Sequence, residues 1–324
     1  MVEKQQGFRK PLLSVIAASL LSVVATQSAQ AETTPLTIGI SGWTGFAPLI
    51  LAKEAGLFEK NGLDVDLKMI PQKDRLLAIA SGSVQCAATT VETYIPWNLS
   101  GVAIKQILMM DKSYGADGVV AREGIKTVAD LKGKNVAVDA SGTTSYFGLA
   151  YILYKNGMSM KDIKVNTLGP SAAAQAFIAG QNDAAMTYEP YLSKVRADKK
   201  AGHILATTLD YPMVMDTVGC TSEWLTKNPT AAKALVKSYY DALDMIAKEP
   251  EKSYGIMGKP EKQTAKEFAE SASYLKWANA EDNKKFFGGE LQAFTKEAGD
   301  VMLKEGIVKK LPDLNSLYDT SFVE

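Results

Sequence analysis

The sequence predicts an α/β protein of two similar lobes, joined by a hinge of two crossover segments and followed by a helical C-terminal region. Three observations predict it. Short apolar strands alternate with amphipathic helices from Leu36 to Ala121, the pattern of a mainly parallel sheet with helices on both faces. A similar order of elements restarts near Val128, and from Asn228 onward the chain reads as nearly all helix.

In chain order, Leu36–Ile40 reads as a strand and Phe46–Leu57 as a helix with apolar residues at helical spacing. Strand Asp64–Ile70 leads to helix Asp74–Ser81, which Gly82 ends. Strand Val84–Thr89 and a short helix Thr93–Ser100 follow, then strands Ile104–Met110 and Gly118–Ala121. In the second run, Ala129–Leu131 is a helical turn and Asn135–Val138 a strand; helix Thr144–Lys155 stops at Asn156-Gly157. Strand Ile163–Leu168 precedes helix Pro170–Ala179, which begins on Pro and ends at Gly180. Strand Asp183–Thr187, helix Pro190–Lys199 and strands His203–Thr208 and Thr217–Thr221 complete it. Pro229 opens a long helix to Lys248 that Pro250 ends, and helices Thr264–Trp277 and Asp282–Glu305 close the chain. These elements divide into lobe one, residues 32–121 and 217–324, and lobe two, residues 122–216. Linkers are expected near Arg122–Thr127 and Leu209–Thr217, and the helical tail is expected to pack on lobe one.

The first 31 residues read as a secretory signal peptide. Lys4, Arg9 and Lys10 precede an apolar run from Pro11 to about Ala25, and Ala29-Gln30-Ala31 offers a small-x-small cleavage site. The apolar run is shorter than the ~20 residues of a membrane span, and no Cys follows the expected cut to carry a lipid. A mature protein beginning at Glu32 and released into the periplasm is therefore expected.

Composition narrows the function. Acidic and basic residues balance at 36 each, with no basic stripe or charge block, so nucleic acid is an unfavoured partner. There is one histidine, His203, at the start of an apolar run, which removes the usual parts of zinc hydrolases and Ser-His triads. No nucleophile elbow, phosphate-binding loop or dinucleotide fingerprint is present. No cofactor and no metal is expected. Two cysteines remain, Cys86 and Cys220. In an oxidising compartment they could pair, but each also reads as a small buried strand residue, and that unpaired reading is preferred.

A set of short motifs carries a resemblance. Ile38-Gly39-Ile40 leads through Gly42-Trp43 to Ala52-Lys53-Glu54-Ala55-Gly56-Leu57-Phe58 and Gly62-Leu63-Asp64-Val65. Ala80-Ser81-Gly82-Ser83-Val84-Gln85 comes next, then Asp130-Leu131-Lys132-Gly133-Lys134 with Ser141-Gly142-Thr143-Thr144, and finally Gly180-Gln181-Asn182-Asp183-Ala184-Ala185 with Tyr188-Glu189-Pro190-Tyr191. In order and spacing, over nearly the whole mature chain, this resembles the solute-binding proteins of ABC importers, in the nitrate, taurine, alkanesulfonate and thiamine-precursor branch. The resemblance implies a type II-like periplasmic binding fold whose lobes close on a small solute. It also implies delivery of that solute to an inner-membrane permease driven by its ATPase. One chain contains both halves of the cleft, so a monomer is expected.

Ligands of open α/β sheets sit beyond the carboxyl ends of the strands. The residues there are Trp43, Thr44, Thr89, Thr90 and Glu92 from lobe one, with Ser141, Thr143, Thr144, Tyr188 and Glu189 from lobe two; Asp117 and Asp216 lie near the linkers. Ser141–Thr144 stands between a strand and a helix, where free N–H groups and hydroxyls converge, and it can serve as a ligand contact or as an ordinary cap. Trp43 and Tyr188 are the aromatic candidates.

Charge indicates the ligand. Lys112 is the one basic residue in these loops, against Glu92, Asp111, Asp117, Asp139, Glu189, Asp210 and Asp216. Any one of these acids can cap a helix or pair across the hinge; at least one is expected to meet the ligand. An amine or a taurine-like zwitterion suits such a site better than a free anion. Two rivals share the fold: an enzyme of the thiamine-pyrimidine type, which would need a reactive histidine and metal-binding cysteines at the cleft, and a sensor partner that presents the solute to a membrane receptor.

Overall fold

In the computed structural model, residues 1–3, 7 and 33–323 are described. The chain divides into Met1–Glu32 and the folded body Thr33–Glu324. Apart from residues 1–3 and 7, the expected signal peptide lies outside the described residues.

Two mixed sheets form the body. The first holds β1 (Thr34–Ile40), β2 (Leu63–Met69), β3 (Cys86–Thr90), β4 (Ile104–Ser113), β10 (Met215–Thr221) and β11 (Leu275–Trp277), in the order β11-β4-β10-β3-β1-β2. The second holds β5 (Asp117–Ala121), β6 (Asn135–Val138), β7 (Lys164–Thr167), β8 (Ala184–Tyr188) and β9 (His203–Thr207), in the order β7-β6-β8-β5-β9. Each sheet is parallel except where a strand arrives from the other lobe and at the edge strand β11, which pairs antiparallel with β4. β5 enters the second sheet antiparallel to β8 and β9, and β10 enters the first antiparallel to β3 and β4. The amino ends of these incoming strands therefore lie beside the carboxyl ends of their neighbours, at the cleft.

This topology moves the expected hinge. Gly118–Ala121, assigned to lobe one from sequence, belongs to the second sheet, and the first crossover is Tyr114–Ala116 rather than Arg122–Thr127. An apolar strand reads alike in either sheet, and the polar turn Arg122-Glu123-Gly124 mimics a linker. The second crossover runs over residues 208–214, so Asp216 belongs to the first sheet. The two crossovers are tied to each other. Ser113 and Thr208 share a hydroxyl hydrogen bond of 2.6 Å, and the Gly115 N–H donates to Thr208 Oγ1 at 2.7 Å. Gly115 sits at φ +94°, a region open to glycine, which lets the chain turn between sheets in three residues.

The C-terminal region departs from expectation in three places. Pro250 ends the helix Pro229–Lys248 and also starts another, Pro250–Met257, as proline favours a first helical position. The expected helix Thr264–Trp277 stops at Ala272, and Leu275–Trp277 becomes β11 on the edge of the first sheet. The last expected helix is Ala280–Lys285 and Leu291–Lys304, separated by a wide turn over Phe286–Glu290 that contains Gly288-Gly289. The tail also reaches lobe two: Tyr151 and Lys155 both donate to Glu297 at 2.8 Å. One apolar core is accordingly shared between lobes, with Phe147 and Ile152 in the same cluster as Phe286, Leu291 and Ala298.

Cys86 and Cys220 form a disulfide, contrary to the expectation of two unpaired residues. β10 runs antiparallel beside β3, which sets Cys220 directly opposite Cys86 with Cα atoms 4.0 Å apart. The cysteines are 134 residues apart, and this adjacency is invisible until the crossover strand is placed. Removing a native disulfide costs about 2–5 kcal/mol. The Cys86→Ala/Cys220→Ala variant is expected to lose that much in urea unfolding; an unchanged midpoint would show that the bond does not constrain the unfolded chain.

Candidate functional site

Six expected residues meet at the cleft. Trp43 follows β1, Thr89 is the penultimate residue of β3 and Asp216 the second of β10, while Asp117 opens β5, Thr144 starts the helix after β6 and Tyr188 ends β8. With Ser41, Phe46, Gln72, Arg75 and Val214 they line a cavity of about 20 Å³ between the lobes, room for about one water molecule. The lobes touch around it. The Gln72 amide nitrogen lies 2.9 Å from Thr144 Oγ1, and its oxygen accepts from the Thr144 N–H at 3.1 Å. Thr90 and Thr144 hydroxyls are 2.7 Å apart, and Trp43 meets Tyr188 edge-on at 5.4 Å.

Buried carboxylates surround this space. Asp216 is 3% exposed, and its carboxylate has no hydrogen-bond partner among the described residues. Burial, then Asp111, Asp117 and Glu92, push its pKa well above the usual carboxylate range, with Arg75 opposing. Asp117 rises to about 7, chiefly by burial, despite the Ser113 hydroxyl that favours its charge. Its Oδ2 is buried without a partner. Glu92 also rises to about 7 by burial; the Thr90 hydroxyl donates to Oε1 while Oε2 is left unpaired. Asp111 pairs with Asp216 across β4 and β10, is raised by burial, and accepts from Trp43 Nε1 at 3.4 Å. Gly45 permits that contact, since a Cβ there would lie 2.1 Å from Asp111 Oδ2.

One base answers these acids. Arg75 is fully buried; desolvation lowers its pKa to about 10, and it remains a cation. Its Nε donates to the Ile70 carbonyl at 3.0 Å and Nη1 to the Ala88 carbonyl, leaving Nη2 unpartnered. Lys112 turns away to pair with Glu290.

The other expected residues have different places. Thr90 and Glu92 stand behind Thr144 as its hydrogen-bonding support. Thr44 is buried beside Trp43 in a neighbouring pocket, with its hydroxyl unpartnered. Ser141 is exposed, and Thr143 caps its helix, accepting from the Tyr146 N–H at 3.4 Å and donating to Ala140 O at 2.9 Å. Glu189 forms an ion pair with Arg196 at 2.7 Å and accepts from the Ser193 N–H. The sequence reading passed over Ser41, Gln72 and Arg75. Gln72 closely follows β2, and the strand-end rule applied to that strand would have found it.

Among the described residues, no group of three or more His, Cys, Asp or Glu side chains is arranged to hold a metal ion. His203 pairs with Ala121, at the end of the second sheet away from Asp117. Both cysteines are in the disulfide.

Two lobes meeting over one polar cavity are the architecture of a solute-binding protein. A family model described as NMT1/THI5 like matches residues 43–253, and the chain belongs to that family, with the substrate-binding proteins of ABC transporters. A putative binding protein of Brucella abortus (strain 2308) is 29% identical over 250 residues, covering 75% of this chain and 77% of the relative. The taurine-binding periplasmic protein of Escherichia coli (strain K12) is 27% identical over 242 residues, covering 72% and 73%. The periplasmic aliphatic sulphonate binding protein of Escherichia coli shares the fold at a TM-score of 0.71 and 22% identity, over 89% of this chain and 98% of its own. A desulfurization enzyme shares it too, at a TM-score of 0.63 and 12% identity, over 90% and 97%. The type II periplasmic fold alone therefore does not separate binding from catalysis.

The raised acids give a pH signature. Glu92 and Asp117 sit at about 7 in the fold, against roughly 4 when exposed. The folded protein holds more protons than the unfolded chain across that window, so their contribution to stability is complete below about pH 4 and gone above about pH 7. Glu92→Gln, which keeps the neutral shape, is expected to flatten the fall in melting temperature between about pH 5 and pH 8. An unaltered slope would contradict the raised pKa of Glu92.

Proposed function

We propose that this protein captures a small solute bearing a protonated nitrogen, an amine or taurine-like zwitterion, and delivers it to an ABC permease. One observation carries the reading: unpaired carboxylates from different lobes, Asp117 of the second sheet and Asp216 of the first, line one cavity. Without a cation these groups resist each other's approach, and burial resists the charge of both. A cation between them removes both costs only when the lobes are together, so its binding energy is also closing energy. A free anion finds the opposite field, with one buried guanidinium against several acids. Arg75 Nη2 is the natural contact for the acceptor group of a zwitterion.

The reading is non-enzymatic: the cleft offers hydrogen bonds, charge and aromatic edges. The basic-apolar leader and the Cys86–Cys220 bond both favour an oxidising compartment such as the periplasm. The names of the taurine- and sulphonate-binding relatives support a small organic solute.

Calorimetric titration with methylammonium, taurine and nitrate tests this. Ammonium compounds or zwitterions are expected to bind and nitrate to fail, and Asp216→Asn is expected to weaken binding about 30-fold or more, as for truncation of a buried charge pair. Nitrate binding that survives the substitution would overturn the reading.

A further inference from the structure

The inner cavity does not end at its own walls. Ser41, Gln72 and Tyr188 line it and also line an outer cavity of about 510 Å³ that opens along the cleft. The two spaces differ in size and chemistry. The inner one, about 20 Å³, carries Asp117 and Asp216. The outer one falls in the size range of small-molecule sites and is walled largely by Met69, Ile70, Pro71, Pro170, Ala172 and Tyr191, with the exposed Lys73 also on its wall. Met69, at the end of β2, is 53% exposed there, an apolar side chain with one face unused. Two acids on its wall are already engaged: Asp139 accepts from the Ala140 N–H at 2.7 Å, and Glu261 accepts from the Tyr191 hydroxyl at 3.2 Å.

Resting on the cation reading above, we infer that the solute is an elongated primary amine, with its ammonium in the inner cavity and a largely apolar body in the outer one. Two sizes impose this. A primary ammonium has about the volume of the single water the inner cavity admits, whereas a trimethylammonium group is several times larger. A compact zwitterion fills the inner end and leaves the apolar wall wet, so the outer cavity contributes nothing to its affinity. A solute whose body continues past Gln72 and Tyr188 removes that wall from water on both lobes, since Met69 and Pro71 belong to one and Pro170 and Ala172 to the other. The outer cavity then adds to closure as well as affinity.

Titration of the full mature chain with methyl-, butyl-, hexyl- and phenethylammonium, tetramethylammonium and taurine tests this. A buried methylene is worth about fourfold in affinity. Hexylammonium is expected to bind at least 100-fold tighter than methylammonium, and tetramethylammonium to bind worse than methylammonium. Ala172 is exposed on the helix Pro170–Ile178. Ala172→Trp, checked for an unchanged melting temperature, is expected to pull the hexyl and phenethyl affinities toward that of methylammonium. Affinity independent of chain length, but still lost in Asp216→Asn, overturns the elongated solute and leaves the cation reading standing. Binding of taurine or nitrate that is indifferent to Asp216→Asn, with no ammonium compound bound, overturns both.

Discussion

The fold depends on an unfavourable interaction held at its hinge. Asp216 of lobe one and Asp117 of lobe two line one cavity with Arg75, the one cation there, and Asp111 and Glu92 are buried close behind. Such a cluster is costly: burial penalises each charge and each charge penalises the next. The protein contains the cost by holding protons, as Glu92 and Asp117 at about 7 indicate. On the proposed reading, a cationic solute would replace those protons with a charge that belongs to neither lobe. On that reading, closure, selectivity and pH sensitivity would all follow from one arrangement.

The surrounding architecture keeps that arrangement in place. Both acids that meet across the cleft stand one or two residues beyond a crossover, and the crossovers are hydrogen-bonded to each other through Ser113, Gly115 and Thr208. Asp216 and Asp117 therefore stand next to the hinge, at the inner end of the cleft. The Cys86–Cys220 bond fastens β10, which carries Asp216, to β3, which carries Thr89 and Thr90. The final helix holds lobe two from outside through Glu297 with Tyr151 and Lys155. On the opposite side, one hydrogen bond of 3.2 Å, from the Tyr191 hydroxyl to Glu261, crosses the mouth of the cleft.

Much of this was legible in the sequence because the signals are local. Alternating strands and helices, Pro229 and Gly180 at helix ends, and the strand-end positions of Trp43, Thr89, Thr144 and Tyr188 follow from periodicity and the carboxyl-end rule, and Asp117 and Asp216 from their place near the linkers. What was not legible depends on which sheet a strand joins. β5 has the same apolar pattern whichever sheet it enters, so the hinge was placed after it instead of before. The pairing of Cys86 with Cys220 and the opposition of Asp111 to Asp216 both require β10 to lie between β3 and β4. Arg75 was missed for another reason: it lies on a helix after β2 and reads as a surface residue, and only the packing of that helix over the sheet buries it. Ser141, Thr143 and Glu189 have the right chemistry and the right loops, but local partners absorb them.

The account stands on a cation displacing protons from the hinge acids, and that exchange can be counted. Titrating the protein with hexylammonium near pH 6.5 in two buffers of different ionisation enthalpy gives the number of protons moved per ligand bound. Ionised acids are the form the cation prefers, so the account predicts release of protons, about one or more per ligand, fading above about pH 8. No proton transfer, or net uptake, would mean that the solute does not bind against Asp117 and Asp216, and would contradict the central claim.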